Sequence, residues 1–173
     1  MQKIYETNLS PEEFVKESRN LKYPTINTCH KCGARDTLRP NGFYDRNVLT
    51  KDDEYIVSLR RFKCPHCLAS VSFLPSFLIP YFQSAFERII NILKSVIAKK
   101  KEGCISFYRQ IGHFYKKRFL INLNLLVILF RDLDICFLSK NEKATNLIEK
   151  ISIIGSSLSQ RFIAKFNKSF MAN

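Results

Sequence analysis

The chain changes its hydrophobic rhythm near residue 81. Before that point, apolar and polar residues alternate in short stretches. Tyr55, Val57 and Leu59 alternate with Ile56, Ser58 and Arg60 in a run rich in β-branched and aromatic side chains, which predicts a strand. Leu38–Asn47 predicts another, with Pro40-Asn41-Gly42 as a turn or bulge signal, and Ser70–Leu74 a third. Thr50-Lys51-Asp52-Asp53 reads as the polar turn between the first two, and Pro75 and Pro80 bracket the exit. After Tyr81 the period becomes helical. Phe86, Ile89, Ile90, Leu93, Val96 and Ile97 fall on one helix face. The charged break Lys99–Gly103 follows, then helices over about Ile105–Ile111 and His113–Leu133, with Gly112 as a hinge between them. Two more are expected over Asn141–Ile154 and Ser156–Phe170, separated by Gly155 and with Ser156 as a cap. Ahead of the strands, Ser10-Pro11-Glu12-Glu13 carries an N-cap, a proline at the first helical position and acids in the first turn. That predicts a helix from Pro11 to about Asn20, stopped by Pro24.

These patterns give an α+β protein in three parts: a helical lead-in (1–28), a small strand-rich segment (29–80) and a helical domain (81–173). Hydrophobic residues are 46% of the 173, enough to bury a core rather than remain a disordered tail. The longest apolar run, Phe119–Phe130, includes Asn122 and Asn124 and is too short to span a bilayer, so it reads as a buried helix and no membrane association is expected. The first residues lack an apolar signal region, which places the expected location in the cytoplasm. Neither a GxGxxG nor a GxxxxGK[ST] string occurs, so nucleotide chemistry has no anchor.

Charge changes the picture. The net charge is +13, with 28 Lys and Arg against 15 acids. Residues 1–28 are neutral, 29–80 carry +3, 81–131 carry +8, and 132–173 carry +2. A surplus of that size points to a polyanionic partner, and duplex DNA is the expected one.

The cysteines carry the sharpest signal. Cys29-His30-Lys31-Cys32-Gly33 and Cys64-Pro65-His66-Cys67 are two CxxC knuckles, each able to aim two sulfurs at one ion. Together Cys29, Cys32, Cys64 and Cys67 would hold one Zn2+ tetrahedrally, and four thiolates leave no open position for substrate, so the zinc is structural. Gly33 suits a backbone turning with positive φ. A ribbon of this kind has little core of its own, so metal binding and folding are expected to be one event. His30 and His66 lie inside the knuckles, where either could replace a cysteine as ligand, and are expected exposed beside the site. Cys104 and Cys136 stand alone and read as buried small apolar residues, and His113 as a surface or capping residue.

Across about Cys29–Tyr81, the strings CHKCG, LRPNGFYDR, IVSLRRFKCPHC and VSFLPSFLIPY resemble the zinc ribbon that begins several bacterial insertion-sequence transposases. They are closer still to a family of short, uncharacterised bacterial zinc-ribbon proteins with a similar exit. Gly42, Tyr44 and Arg46 meet that pattern's G-x-Y-x-R strand, and Arg60 and Arg61 its arginine-bearing strand. The resemblance implies a helix-turn-helix after the ribbon, which the helices from Ser84 to Asp132 would supply. It also implies DNA targeting. A transposase would continue into a long catalytic domain with three widely spaced carboxylates, and this sequence instead offers Asp132, Asp134, Glu142 and Glu149 on helices or their ends. With three histidines and no nucleophile–base constellation, the expectation is a non-enzyme.

The nucleic-acid candidates are Arg46, Arg60 and Arg61 on the ribbon, with Lys99, Lys100, Lys101, Arg109, Lys116, Lys117 and Arg118 in the helical part. In the latter segment bases are interleaved with Phe107, Tyr108, Phe114 and Tyr115. The expected function is therefore zinc-dependent DNA binding, as a stand-alone relative of a transposase's targeting half, serving as regulator or accessory factor. Two alternatives stand beside it: a protein-interaction adaptor or homodimer using the ribbon and an apolar helix, and a truncated transposase remnant.

Overall fold

The computed structural model describes residues 1–97, 106–131 and 140–172, with side chains for 1–97, 109–131 and 144–172. The chain divides into two units, Met1–Gln83 and Ser84–Asn173. Together they make a mixed α+β protein.

The first unit is a four-stranded sheet in the order β1-β4-β3-β2. β2 (Arg39–Leu49) and β3 (Glu54–Lys63) form the expected antiparallel hairpin. Its four-residue turn is closed by the Thr50 hydroxyl donating to Asp53 O at 2.8 Å, while the Asp53 N–H donates to Thr50 Oγ1 at 3.0 Å. The Pro40-Asn41-Gly42 signal becomes a bulge, where the register shifts between Pro40 and Phe43 and Gly42 adopts φ +70°. β4 (Ser70–Pro75) pairs antiparallel with β3. β1 (Gln2–Tyr5), which the sequence pattern did not suggest, pairs parallel with β4. α1 (Pro11–Glu17) begins on the expected cap: the Glu13 N–H donates to Ser10 Oγ, and the Ser10 N–H donates to Glu13 Oε2 at 2.8 Å. It ends at Glu17, short of the expected Asn20.

The two sheet faces differ in what they bury. Strand alternation places Ile4, Val48, Val57, Leu59 and Leu74 on one face, all buried. Phe14, Leu78 and Ile79 are also fully buried, with Phe14 edge-on to Phe77 at 5.5 Å. The other face carries an aromatic cluster, in which Phe73 meets Phe62 at 5.5 Å and Tyr5 at 5.9 Å, and Tyr23 meets Tyr5 at 5.6 Å. The sheet therefore has an apolar core independent of any metal, which revises the expectation of a coreless ribbon.

The second unit contains α2 (Phe86–Ile97), α3 (Ser106–Ile121), α4 (Leu123–Arg131), α5 (Lys140–Ile154) and α6 (Ser157–Phe166). The apolar face of α2 is buried as its period predicts, through Phe86, Ile89, Ile90 and Leu93. Gly112 is no hinge. α3 runs straight through it, and a Cβ there would stand 2.6 Å from Val96 Cγ2, so this glycine permits α2 and α3 to approach. His113 accordingly lies exposed inside α3 rather than at a helix start.

The break comes instead at Asn122, inside the apolar run expected to be one buried helix. Asn122 is fully buried, and its Nδ2 donates to Arg118 O at 3.1 Å and to Ala172 O at 2.7 Å. Around it Leu126 and Phe130 are buried, whereas Leu120, Ile121 and Ile128 are exposed. The last expected helix also stops early. Asn167 takes a left-handed conformation, φ 52°, as a C-cap and redirects the chain so that Phe170 and Met171 enter the core. Phe170 stacks edge-on against Phe86 and Phe162, both at 6.1 Å. Ser156 precedes α6 without a side-chain cap, contrary to expectation. No helix among the described residues is long and apolar enough to cross a membrane.

Candidate metal centre and basic surfaces

Each knuckle is a tight turn whose hydrogen bonds follow from its spacing. In the first, the Cys29 N–H donates to Ala34 O at 2.9 Å and the Gly33 N–H to Cys29 O at 3.0 Å. In the second, the Cys64 N–H donates to Ala69 O and the Leu68 N–H to Cys64 O, both at 2.9 Å. The two turns are the same structure built twice. The residue after the second cysteine must take positive φ, and it does so as Gly33 at +71° and Leu68 at +59°.

These turns bring all four Sγ atoms within 4.8 Å of one another. Cys29 Sγ lies 3.5 Å from Cys67 Sγ, and Cys32 Sγ 3.8 Å from Cys64 Sγ. A tetrahedron with metal–sulfur bonds of about 2.3 Å has sulfurs about 3.8 Å apart, so the set fits one metal ion. The electrostatics agree. The Cys67 N–H, against the opposing effect of burial and with help from the Thr37 hydroxyl and His66 N–H, brings the Cys64 thiol down to about 6. The N–H groups of Cys32 and Lys31 lower Cys29 as well. Although the Ala34 N–H favours its thiolate, desolvation and the three neighbouring sulfurs push Cys32 up to about 11. Two thiols are thus prepared to ionise while a third resists its neighbours' charge, and a cation among them relieves that conflict. Cys29 and Cys64 are buried, and Cys32 lies at the surface.

Thr37 was invisible to the spacing argument. Its Oγ1 sits 3.6 Å from Cys64 Sγ, and an outer-shell hydroxyl there orients the ligand. No spacing rule selects a threonine five residues past the knuckle; the contact exists because the chain doubles back through the Thr28–Arg35 bridge. His30 and His66 are both exposed beside the site.

The structure separates the basic candidates. On the ribbon, Arg46 and Arg61 extend from the face bearing Leu59, and Arg60 from the aromatic face. Arg46 turns inward. Its Nη2 donates to Ile79 O at 3.2 Å and to Phe82 O, and burial lowers its pKa. It fastens the exit segment to the hairpin, and these bonds hold its Nη2 away from the surface role expected of it. Arg60 lies over the Phe43 ring at 4.7 Å. Arg61 lies over Tyr44 at 5.7 Å and donates to Phe43 O at 3.4 Å. In α3, Arg109 and Lys117 are exposed and Lys116 half-exposed. Arg118 covers the Phe114 ring at 4.5 Å and donates to Met171 O at 3.2 Å, which ties it to its own unit. Lys99, Lys100, Lys101, Cys104 and Cys136 lie outside the described residues.

Residues 29–108, just under half of the chain, match a family described as "Domain of unknown function (DUF6431)". That stretch contains both knuckles and the whole sheet core except β1. No curated protein and no solved structure matches the chain.

Proposed function

We propose that this protein is a zinc-dependent duplex-DNA-binding protein, in which a closed zinc ribbon is structural and a helical unit supplies the binding surface. The thiolate set supports zinc as the ion, since four sulfurs at tetrahedral spacing suit it and leave no open coordination position. The DNA reading rests on one observation above the rest. Among residues of the second unit with described side chains, eleven are Lys or Arg, while only Glu87 and Glu149 are acidic. Arg109 and Lys116 stand seven residues apart on α3, which sets two cations along one helix face. The kinship to transposase ribbons, the helix-turn-helix character of the second unit and a regulatory or accessory role belong to this same reading.

The test is direct. Purified protein is expected to carry one zinc per chain and to bind a random-sequence duplex with affinity that falls steeply with salt. Protein without metal, or without affinity for that duplex at low salt, sinks the respective half of the proposal.

A second reading has its own observation. Leu120, Ile121 and Ile128, exposed by 42%, 52% and 41%, flank the Asn122 break as an apolar surface suited to a protein partner or a second copy. A dimer insensitive to salt, in protein that ignores DNA, would favour it.

A further inference from the structure

The net charge by segment directs attention to residues 81–131, yet a further basic stretch without acids lies near the C-terminus. From Lys150 to Asn173 there are four bases and no acid. This stretch contains α6, which lies beyond the residues that match the family.

α6 is presented by a tight corner. Gly155, φ +70°, ends α5 with its N–H donating to Ile151 O at 2.9 Å, and α6 starts two residues later. The helix then divides cleanly by face. Leu158 and Phe162 are fully buried, and Phe162 packs on Phe166 at 4.7 Å and on Phe170 at 6.1 Å. Opposite them, Ser157, Arg161 and Ala164 recur at i, i+4 and i+7 as one outward stripe, with exposed Lys165 beside it. Lys168 follows just past the Asn167 cap.

Those residue types fit one occupant. Serine and alanine keep the stripe low, so the helix axis can lie close to a surface. Arginine between them reaches a guanine edge with two donors, and the two lysines that follow it meet phosphates. An acidic protein would also attract the lysines, but it gives no reason for a low stripe with one central arginine. A helix about 10 Å across with short side chains on its outer face matches the width of the major groove.

We infer that α6 is the reading helix of this protein: it enters the major groove of duplex DNA, Arg161 contacts a base edge, and Lys165 and Lys168 contact phosphates. The inference rests on the DNA-binding reading above and deepens it. It moves base reading away from the Ser84–Asp132 helices, leaving α3 a sequence-independent role on the backbone.

The experiment uses the full zinc-loaded chain and two probes: a random-sequence 30-base-pair duplex and a pool of duplexes with a randomised centre. Wild type is expected to enrich a motif from the pool. Arg161→Ala is expected to lose preference for that motif by about tenfold or more while still binding the random duplex. Lys165→Ala with Lys168→Ala is expected to flatten the slope of log K against log salt by about 1.8, at about 0.9 for each phosphate contact. Replacing Arg109, Lys116 and Lys117 by alanine is expected to weaken binding to every sequence while leaving the motif unchanged. Helicity by circular dichroism confirms that each variant is folded. If Arg161→Ala enriches the same motif as wild type, or wild type binds duplex but enriches none, α6 is not the reader although DNA binding stands. If wild type fails to bind the random duplex at low salt, the DNA reading itself falls.

Discussion

The knuckle end of the first unit and the helical second unit reach order by opposite means. Between Asn27 and Leu38 the only fully buried residue is Cys29. Backbone hydrogen bonds shape the turns there, and the two turns meet through the four sulfurs and the Thr37 hydroxyl beside Cys64. The second unit instead interlocks Phe119, Leu126, Phe130, Phe162 and Phe170, all fully buried, across several helices and the C-terminal segment. The difference teaches where each region is fragile. Stability that depends on one ion is lost with a single ligand, whereas stability spread over many apolar contacts is lost in increments, one truncated side chain at a time.

The largest effect that sharpens this contrast is removal of a ligand. Cys64→Ser should release the metal and dissolve structure over about residues 27–38 and 64–69. The cost can approach 10 kcal/mol, since the binding free energy of a structural metal is also local folding free energy. Amide spectra should show those signals collapsing while the helical signature persists. If helicity vanishes with the metal, the two regions are one cooperative system and the contrast is false.

A smaller loss is expected inside the helical unit. Asn122→Ala removes both donors that hold Arg118 O and Ala172 O, and should destabilise the protein by about 2 kcal/mol in urea titration. Metal content should not change. An unchanged urea midpoint would show that the buried Asn122 Oδ1, which has no partner among the described residues, already offset those bonds.

The smallest effect has the opposite sign. Leu68 occupies the left-handed position that Gly33 fills in the other knuckle, and it is 64% exposed, so little burial is lost on trimming it. A non-glycine residue there costs about 1–2 kcal/mol. Glycine returns about 0.5–1 kcal/mol of that through the greater freedom of the unfolded chain. Leu68→Gly should therefore raise stability by up to about 1 kcal/mol, read as slower metal loss to a chelator. Faster loss would mean that the two knuckles are not equivalent.

The metal site was legible in the sequence because a CxxC turn is a local object: two cysteines, their spacing and a glycine suffice to aim two sulfurs. The β2–β3 hairpin was legible for the same reason, through its period and its Thr50–Asp53 turn. What escaped depended on partners far along the chain. Gln2–Tyr5 becomes a strand only because Ser72–Pro75 lies beside it. Gly112 read as a hinge because Val96, the atom it accommodates, belongs to another helix. Asn122 breaks an apolar run since its amide finds Ala172 fifty residues later. Arg46 read as a surface cation, and only the folded exit segment shows the carbonyls that draw it inward. The stripe on α6 was hidden by counting it with Asp132, Asp134, Glu142 and Glu149, which diluted its charge.

The sheet order also sets the cost of closing the chain on itself. Gln2 pairs with Ser72, so β1 must wait until about 70 residues have been made before its partner exists, and closing that loop is entropically expensive. The cysteine turns lie nested inside it. Once an ion bridges Cys29 and Cys67, the free chain between β1 and β4 is roughly halved, which lowers the closure penalty by about 0.6 kcal/mol. A bound ion would thus do more than brace the two turns: it would also shorten the loop that the chain's earliest strand must close.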